Sequence, residues 1–208
     1  MKVAIDGPAA AGKTTLARRL AAALGCLFVP TGAMYRAAAL ARARGRCAAQ
    51  AQIEVRPGGR ILLDGEDVTE LLDNPELDDL SSQVAVDGRV REHLVARQRQ
   101  IARGRDVVME GRDIGTVVLP DADLKIFLAA DPQERARRRL RERGGVYAEV
   151  LAELRRRDLR DSTRKRAPLR AAVDAVVVDT TDKSPEEVFR DALRLVEERL
   201  GFLDRRSG

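Results

Sequence analysis

Lys13 and Thr14 are the residues most directly suited to chemistry. They close the stretch GPAAAGKT, Gly7 to Thr14, which fits the pattern G-x-x-x-x-G-K-[ST] between a short apolar run and a helical pattern. Gly7 and Gly12 permit backbone angles and a close approach that a Cβ would obstruct. Successive amides in such a loop form a concave nest for anions, aided by the positive end of the following helix. Lys13 then reaches the β- and γ-phosphates of a nucleoside triphosphate, and Thr14 offers a hydroxyl to Mg²⁺. The cradle is expected to comprise Gly7, Pro8, Ala9, Ala10, Ala11, Gly12, Lys13, Thr14 and Thr15, with Ala10 tolerating the backbone angles of a tight nest. A P-loop names the donor and not the reaction, because switches, motors and small-molecule kinases share it.

Other stretches carry charge at positions that invite function. Glu110 ends the apolar run DVVME, where an acid in a P-loop protein commonly supports Mg²⁺. Arg112, in the turn that follows, is expected to face the phosphates. In RRRDLRDSTR, Arg157, Asp161 and Arg164 recur at spacings of four and three, which predicts one helix face. Arg155 and Arg156 of the same stretch read as solvated, and Arg135 and Arg139 as further members of a basic lid.

Those residues need a scaffold, and the chain offers one. Residues 2–6, 27–30, 106–110, 124–128 and 174–179 read as five buried strands, alternating with helical patterns over 13–25, 90–103, 132–144 and 184–201. Gly25 and Gly201 look like helix stops, and Ser184-Pro185 with Glu187 like a capped start. Continuous apolar strands alternating with helices predict an α/β fold: a five-stranded parallel sheet of P-loop type with helices on both faces. Ligands then sit at the carboxyl ends of the strands. Residues 53–63, IEVRPGGRILL, break the rhythm as two strands about a Pro-Gly-Gly turn, and mark an antiparallel insertion over roughly 50–75.

The 208 residues suit one domain, and no apolar run approaches the length that spans a bilayer. The apolar start is cut short by Asp6 and Gly7, unlike a signal peptide, so a cytoplasmic protein is expected. Cys26, Cys47 and the sole histidine, His93, are too few for a zinc site or a disulfide framework, and His93 reads as a solvated helix position. Lysine stands only at 2, 13, 125, 165 and 183 among 38 basic residues, so arginine, the better fork for phosphate, carries the basic charge. With two tyrosines, four phenylalanines and no tryptophan there is little to stack on bases, which argues against a nucleic-acid track. The single asparagine, Asn74, weakly suits a heat-adapted source.

Four stretches taken together, TGAMYR at 31–36, SSQVA at 81–85, EGRDIGTVV at 110–118 and RRDLRDSTR at 156–164, give the chain a clear likeness. It resembles the bacterial cytidylate kinases, nucleoside monophosphate kinases that phosphorylate CMP and dCMP from ATP with Mg²⁺. The resemblance covers nearly the whole chain, including the insertion. It implies an inserted NMP-binding subdomain over approximately 36–95 and an Arg-rich lid over approximately 140–166. By resemblance Arg36 holds the CMP phosphate with Thr31 nearby, and Arg91, Asp113 and Ser82 read the base. Arg112, Arg157 and Arg164 meet phosphates, and Asp161 meets the sugar. Cytosine presents an amino donor beside two acceptors, and a carboxylate paired with a guanidinium complements it; uracil would set a lone pair against the carboxylate. Pro30-Thr31 stands where members often have Asp-Ser, and Ala10 where they commonly carry another glycine. A monomer binding neither nucleic acid nor membrane is expected. The alternatives are a kinase of UMP, dTMP or shikimate, and an NTP-switched RNA-binding protein.

Overall fold

Valine and isoleucine dominate the short apolar runs, and in the computed structural model, which describes residues 1–201, five of them lie side by side. β1 (Lys2–Asp6) leads through the P-loop into α1 (Lys13–Leu24), and β2 (Leu27–Pro30) runs directly into α2 (Thr31–Ala43). A small antiparallel sheet follows, from β3 (Ile53–Arg56), β4 (Arg60–Leu63) and β5 (Glu66–Asp67). Then come α3 (Pro75–Val84), α4 (Gly88–Ala102), β6 (Val107–Gly111) and β7 (Leu124–Ala129). The chain continues through α5 (Pro132–Arg143), α6 (Tyr147–Thr163), β8 (Val176–Asp179) and α7 (Pro185–Leu200).

The main sheet has the order β2-β6-β1-β7-β8 and every pairing in it is parallel. Its central strands are buried on both faces. Val3 and Ile5 pack with α1 and α7, whereas Ala4 packs with α2, α4 and the small sheet. Val108 and its neighbours Val107 and Met109 divide the same way, which is why these strands read as unbroken apolar runs. A third, small cluster of Ala9, Ala136 and Leu154 fastens α5 and α6 to the P-loop itself.

Local signals set several helix ends. Gly25 is left-handed and the amides of Gly25 and Cys26 bond back to Ala22 and Ala21, closing α1. Ser184 and Glu187 form a reciprocal capping box on α7. Asn74 caps α3 by accepting the Glu76 amide, with Pro75 in the first turn.

Some expectations need correction. The last strand starts at Val176, not at 174, because Asp174 turns aside to accept from Lys125 Nζ at 2.7 Å. His93 is half-buried and its Nε2 lies 2.9 Å from the Ala51 carbonyl, so it ties α4 to the segment before the hairpin instead of facing solvent. Arg164 falls just beyond α6 in extended conformation, because its backbone turns out of the helix after Thr163. Among the described residues no helix is long and apolar enough to cross a membrane.

Candidate functional site

The sheet register assembles the site. Asp6 pairs with Gly111 and Pro30 with Glu110, so the P-loop, Thr31 and the segment Glu110–Asp113 issue together from the carboxyl edge. The buried Asp6 carboxylate accepts the amides of Ile114 and Gly115, at 2.8 and 2.7 Å. It thereby pins the π-helical turn Ile114–Val118 behind Asp113 to the strand that opens the P-loop. Burial pushes the Asp6 carboxyl up to about 6, against the pull of those two amides.

Within the P-loop, Gly7 has φ 149° and a Cβ there would stand 2.3 Å from the Leu128 carbonyl oxygen. Ala10, at φ 58°, adopts the left-handed angles asked of it. Lys13 is buried and donates to the Pro8 carbonyl at 2.6 Å. Burial drives its amine well below the ordinary lysine range, with the nearby Arg112 guanidinium adding to the effect. Thr14 Oγ1 donates to Glu110 Oε1 at 3.2 Å, bringing a hydroxyl and a buried carboxylate together beside the cradle. Such oxygen donors fit a hard cation such as Mg²⁺ that takes its remaining ligands from phosphate and water. No cluster of three or more His, Cys, Asp or Glu suited to a metal occurs among the described residues.

A cavity of about 600 Å³ extends from Lys13 and Thr14 past Arg36 to Ser82, Arg91 and Asp113. At its far end Arg91 Nη2 donates to Asp113 Oδ2 in a close buried pair. Arg91 Nη1 reaches the Tyr35 hydroxyl at 3.3 Å, and Arg164 Nη2 stands 3.7 Å from Asp113 Oδ1. Burial raises Asp113 above the ordinary aspartate range, while Arg91 and Arg164 pull the other way. Burial also lifts the Tyr35 hydroxyl to about 12, so it stays protonated. Ser82 lines this end, its hydroxyl bonded to the Asp78 carbonyl.

Arg112 joins the two ends of the cavity, with Nε on Asp161 at 2.9 Å and Nη1 on the Gly7 carbonyl at 2.8 Å. Arg157 is pushed down to about 10 by burial and then by Arg112, so it remains a cation held in a desolvated, positively charged place. Arg36 Nε, Arg157 Nε and Arg164 Nη2 are buried without a hydrogen-bond partner. All three of these arginines line the one cavity, and a guanidinium is the fork that suits an anion.

Not every expected residue has the expected surroundings. The Thr31 hydroxyl is buried and donates to the Glu110 carbonyl at 2.7 Å, fastening α2 to β6. Arg135 is buried against Asp158 and the Ala9 carbonyl, a brace between α5, α6 and the P-loop. Arg155 and Arg156 are exposed. Sequence reasoning missed Asp78 and Arg143, which line the cavity, because nothing about an Asp-Asp on a helix singles out the first as buried. It also missed a second cavity, of about 620 Å³, on the other side of the P-loop. Arg138, Thr180, Thr181 and Lys183 line it together with Ala10 and Gly12.

The fold and this cradle define a P-loop phosphotransferase-type protein. Solved structures of the same fold include a gluconokinase from Sinorhizobium meliloti, with TM-score 0.54 at 16% identity over 100% of this chain and 97% of that one. A shikimate kinase from Bacteroides thetaiotaomicron gives 0.52 at 17%, over 97% and 98%. Identities this low speak for the fold alone. A model of the family described as cytidylate kinase matches residues 3–198. The chain is 47% identical to a cytidylate kinase of Solibacter usitatus, over 95% of this chain and 93% of that one. It is 46% identical to one of Thermotoga neapolitana, over 96% and 98%. The chain belongs to the cytidylate kinase family.

Proposed function

We propose that this protein transfers the γ-phosphoryl group of ATP to CMP or dCMP, giving ADP and CDP or dCDP. One observation carries the reading beyond family membership: a single cavity runs from the P-loop lysine to the buried Arg91–Asp113 pair, lined on the way by Arg36, Arg139, Arg143 and Arg157. The cavity offers phosphate chemistry at one end and base recognition at the other. The second cavity, sharing Ala10 and Gly12 with the first, suits the base and sugar of the donor.

In this reading Arg36, Arg157 and Arg164 receive the acceptor's phosphate and Asp161 its sugar. Asp113 and Arg91 meet the cytosine edge, with Ser82 beside them. Residues of approximately 36–95 form the acceptor-binding part and approximately 140–166 the lid. Thr14 and Glu110 would hold Mg²⁺, which when bound supplies charge neutralisation on the donor's phosphates. The acceptor is already an anion, so no strong general base is required. Lys13 and Arg112 bring cations to the transferring group, in-line positioning does the rest, and α6 over the P-loop excludes water.

The test is an acceptor panel with ATP and Mg²⁺. CMP and dCMP are expected to be phosphorylated fastest, and a UMP or dTMP rate ten times the CMP rate would overturn the base-pocket assignment.

A further inference from the structure

A carboxylate stands between the arginines to which the acceptor's phosphate is assigned. Asp78, on α3, is 4% exposed and lines the main cavity. Its Oδ1 lies 3.4 Å from Arg36 Nη1 and 4.0 Å from Arg157 Nη1. Its Oδ2 lies 2.6 Å from Arg143 Nη1 and 3.4 Å from Arg139 Nη2. Four guanidinium groups, from α2, α5 and α6, thus converge on one carboxylate from α3.

The fit is loose. Only the Arg143 contact has the length of a good charged hydrogen bond. Arg36 and Arg157 approach at the limit of contact and each keeps a buried Nε without a partner. A carboxylate has two oxygens and one charge, too little for this receptor. A phosphate monoester brings three oxygens and a charge of roughly −1.5 to −2, which matches four guanidinium groups better. The Asp78 main chain is held on a capped helix, its carbonyl accepting the Ser81 and Ser82 hydroxyls, so release of the arginines falls to its side chain. Burial would push its carboxyl up, but Arg157, Arg36 and Arg143 outweigh this and hold it below the ordinary range, so the charge persists at neutral pH.

We propose that Asp78 is an internal stand-in for the acceptor's phosphate: it organises Arg36, Arg139, Arg143 and Arg157 in the empty enzyme and competes for them when substrate arrives. Asp78 is therefore an affinity-setting residue. The inference rests on the reading that the acceptor's phosphate lands at Arg36 and Arg157. It also accounts for how so dense an arginine cluster folds without a bound anion.

The test compares wild type with the isosteric Asp78→Asn and with Asp78→Ser. Removing a like charge a few ångströms from the incoming phosphate is worth about tenfold in affinity. The acceptor KM is expected to fall about tenfold with kcat within about threefold, and the Kd for inorganic phosphate, measured by calorimetry without nucleotide, to fall in parallel. A merely structural role would lower thermal stability and leave KM and phosphate affinity unchanged or worse, and that result in folded variants overturns the proposal. If wild type fails to phosphorylate CMP while Asp78→Asn still gains phosphate affinity, the acceptor assignment fails and the stand-in stands. If CMP is phosphorylated and neither variant gains, only the stand-in fails. Should neither variant fold, wild-type crystals grown with inorganic phosphate decide. An anion on Arg36 and Arg157 with Asp78 moved off them supports the proposal, whereas no anion, or an anion with Asp78 unmoved, overturns it.

Discussion

Between Gly7 and Thr15 the ligand-facing groups are backbone amides, one amine and one or two hydroxyls, all from consecutive residues. The cleft from Arg36 to Arg164 is lined instead by charged side chains from α2, α3, α4, the end of β6, α5 and α6. Both sit at one edge of one sheet, yet their stability is secured differently. The cradle depends on conformation: Gly7 has no room for a Cβ, and Ala10 and Gly12 hold left-handed angles. The cleft depends on pairing, since Asp113, Arg91, Asp161 and Asp78 are all buried and charged. A backbone cradle loses function when its geometry or its one cation is disturbed. A side-chain cleft loses stability when a single partner is removed.

Four measurements test that contrast. The largest effect is expected at Lys13. Lys13→Met should lower kcat by about 10³ or more, while thermal unfolding stays at or above the wild-type midpoint, because a buried cation beside Arg112 is being replaced by an apolar side chain of similar length. A collapse of stability would place Lys13 on the same footing as the cleft residues.

Asp113→Ala should behave in the opposite way. It leaves Arg91 buried without its carboxylate, a change expected to cost about 3–5 kcal/mol in urea unfolding. The surviving activity should also lose its preference for cytosine over uracil. A stability loss below about 1 kcal/mol would show that Arg91 finds another partner, the range typical of an exposed pair.

Asp6 links the two regions and should betray itself in pH dependence. Its carboxyl is raised from 3.8 to about 6 in the folded protein, mainly by burial. The folded state therefore holds this proton more tightly than the unfolded one. The stability Asp6 contributes is fully present below pH 3.8 and is lost as pH rises through about 6. A carboxyl-carbon NMR titration should find its midpoint near 6, and a midpoint near 3.8 would mean that the Ile114 and Gly115 amides outweigh burial.

The smallest effect is expected at Ala10. Ala10→Gly relieves a left-handed alanine but loosens the unfolded chain, so stability should move by no more than about 1 kcal/mol. The KM for ATP should hardly change. A large rise in KM would show that the methyl group itself shapes the cradle between the two cavities.

The P-loop was legible because its chemistry is contiguous: glycine spacing, a lysine and a threonine between a strand and a helix leave few other readings. The central strands were legible because burial on both faces makes them apolar throughout, whereas β8 reads as equally apolar although Val177 is exposed at the sheet edge. Arg157, Asp161 and Arg164 were placed near one another by helical spacing, although Arg164 reaches Asp113 from beyond the helix end. Asp78 was not legible. Asp78 and Asp79 are adjacent and chemically identical, and only helix phase turns the first into the arginine cluster and leaves the second to an exposed pair with Arg160. The burial of Arg135 was hidden for a related reason, since a basic helix looks the same in sequence whether or not one arginine faces inward against Asp158.

Local residue order is enough for the phosphate cradle, the parallel sheet and the inserted hairpin, because each follows from local angles and from periodicities of a few residues. Tertiary structure decided which arginines face the cleft, that Asp113 meets Arg91 across 22 positions of chain, and that Asp78 stands where an acceptor's phosphate would be drawn. Those outcomes depend on which strand lies beside which and on how each helix is rotated against the sheet. Charges that meet through space leave no local pattern behind.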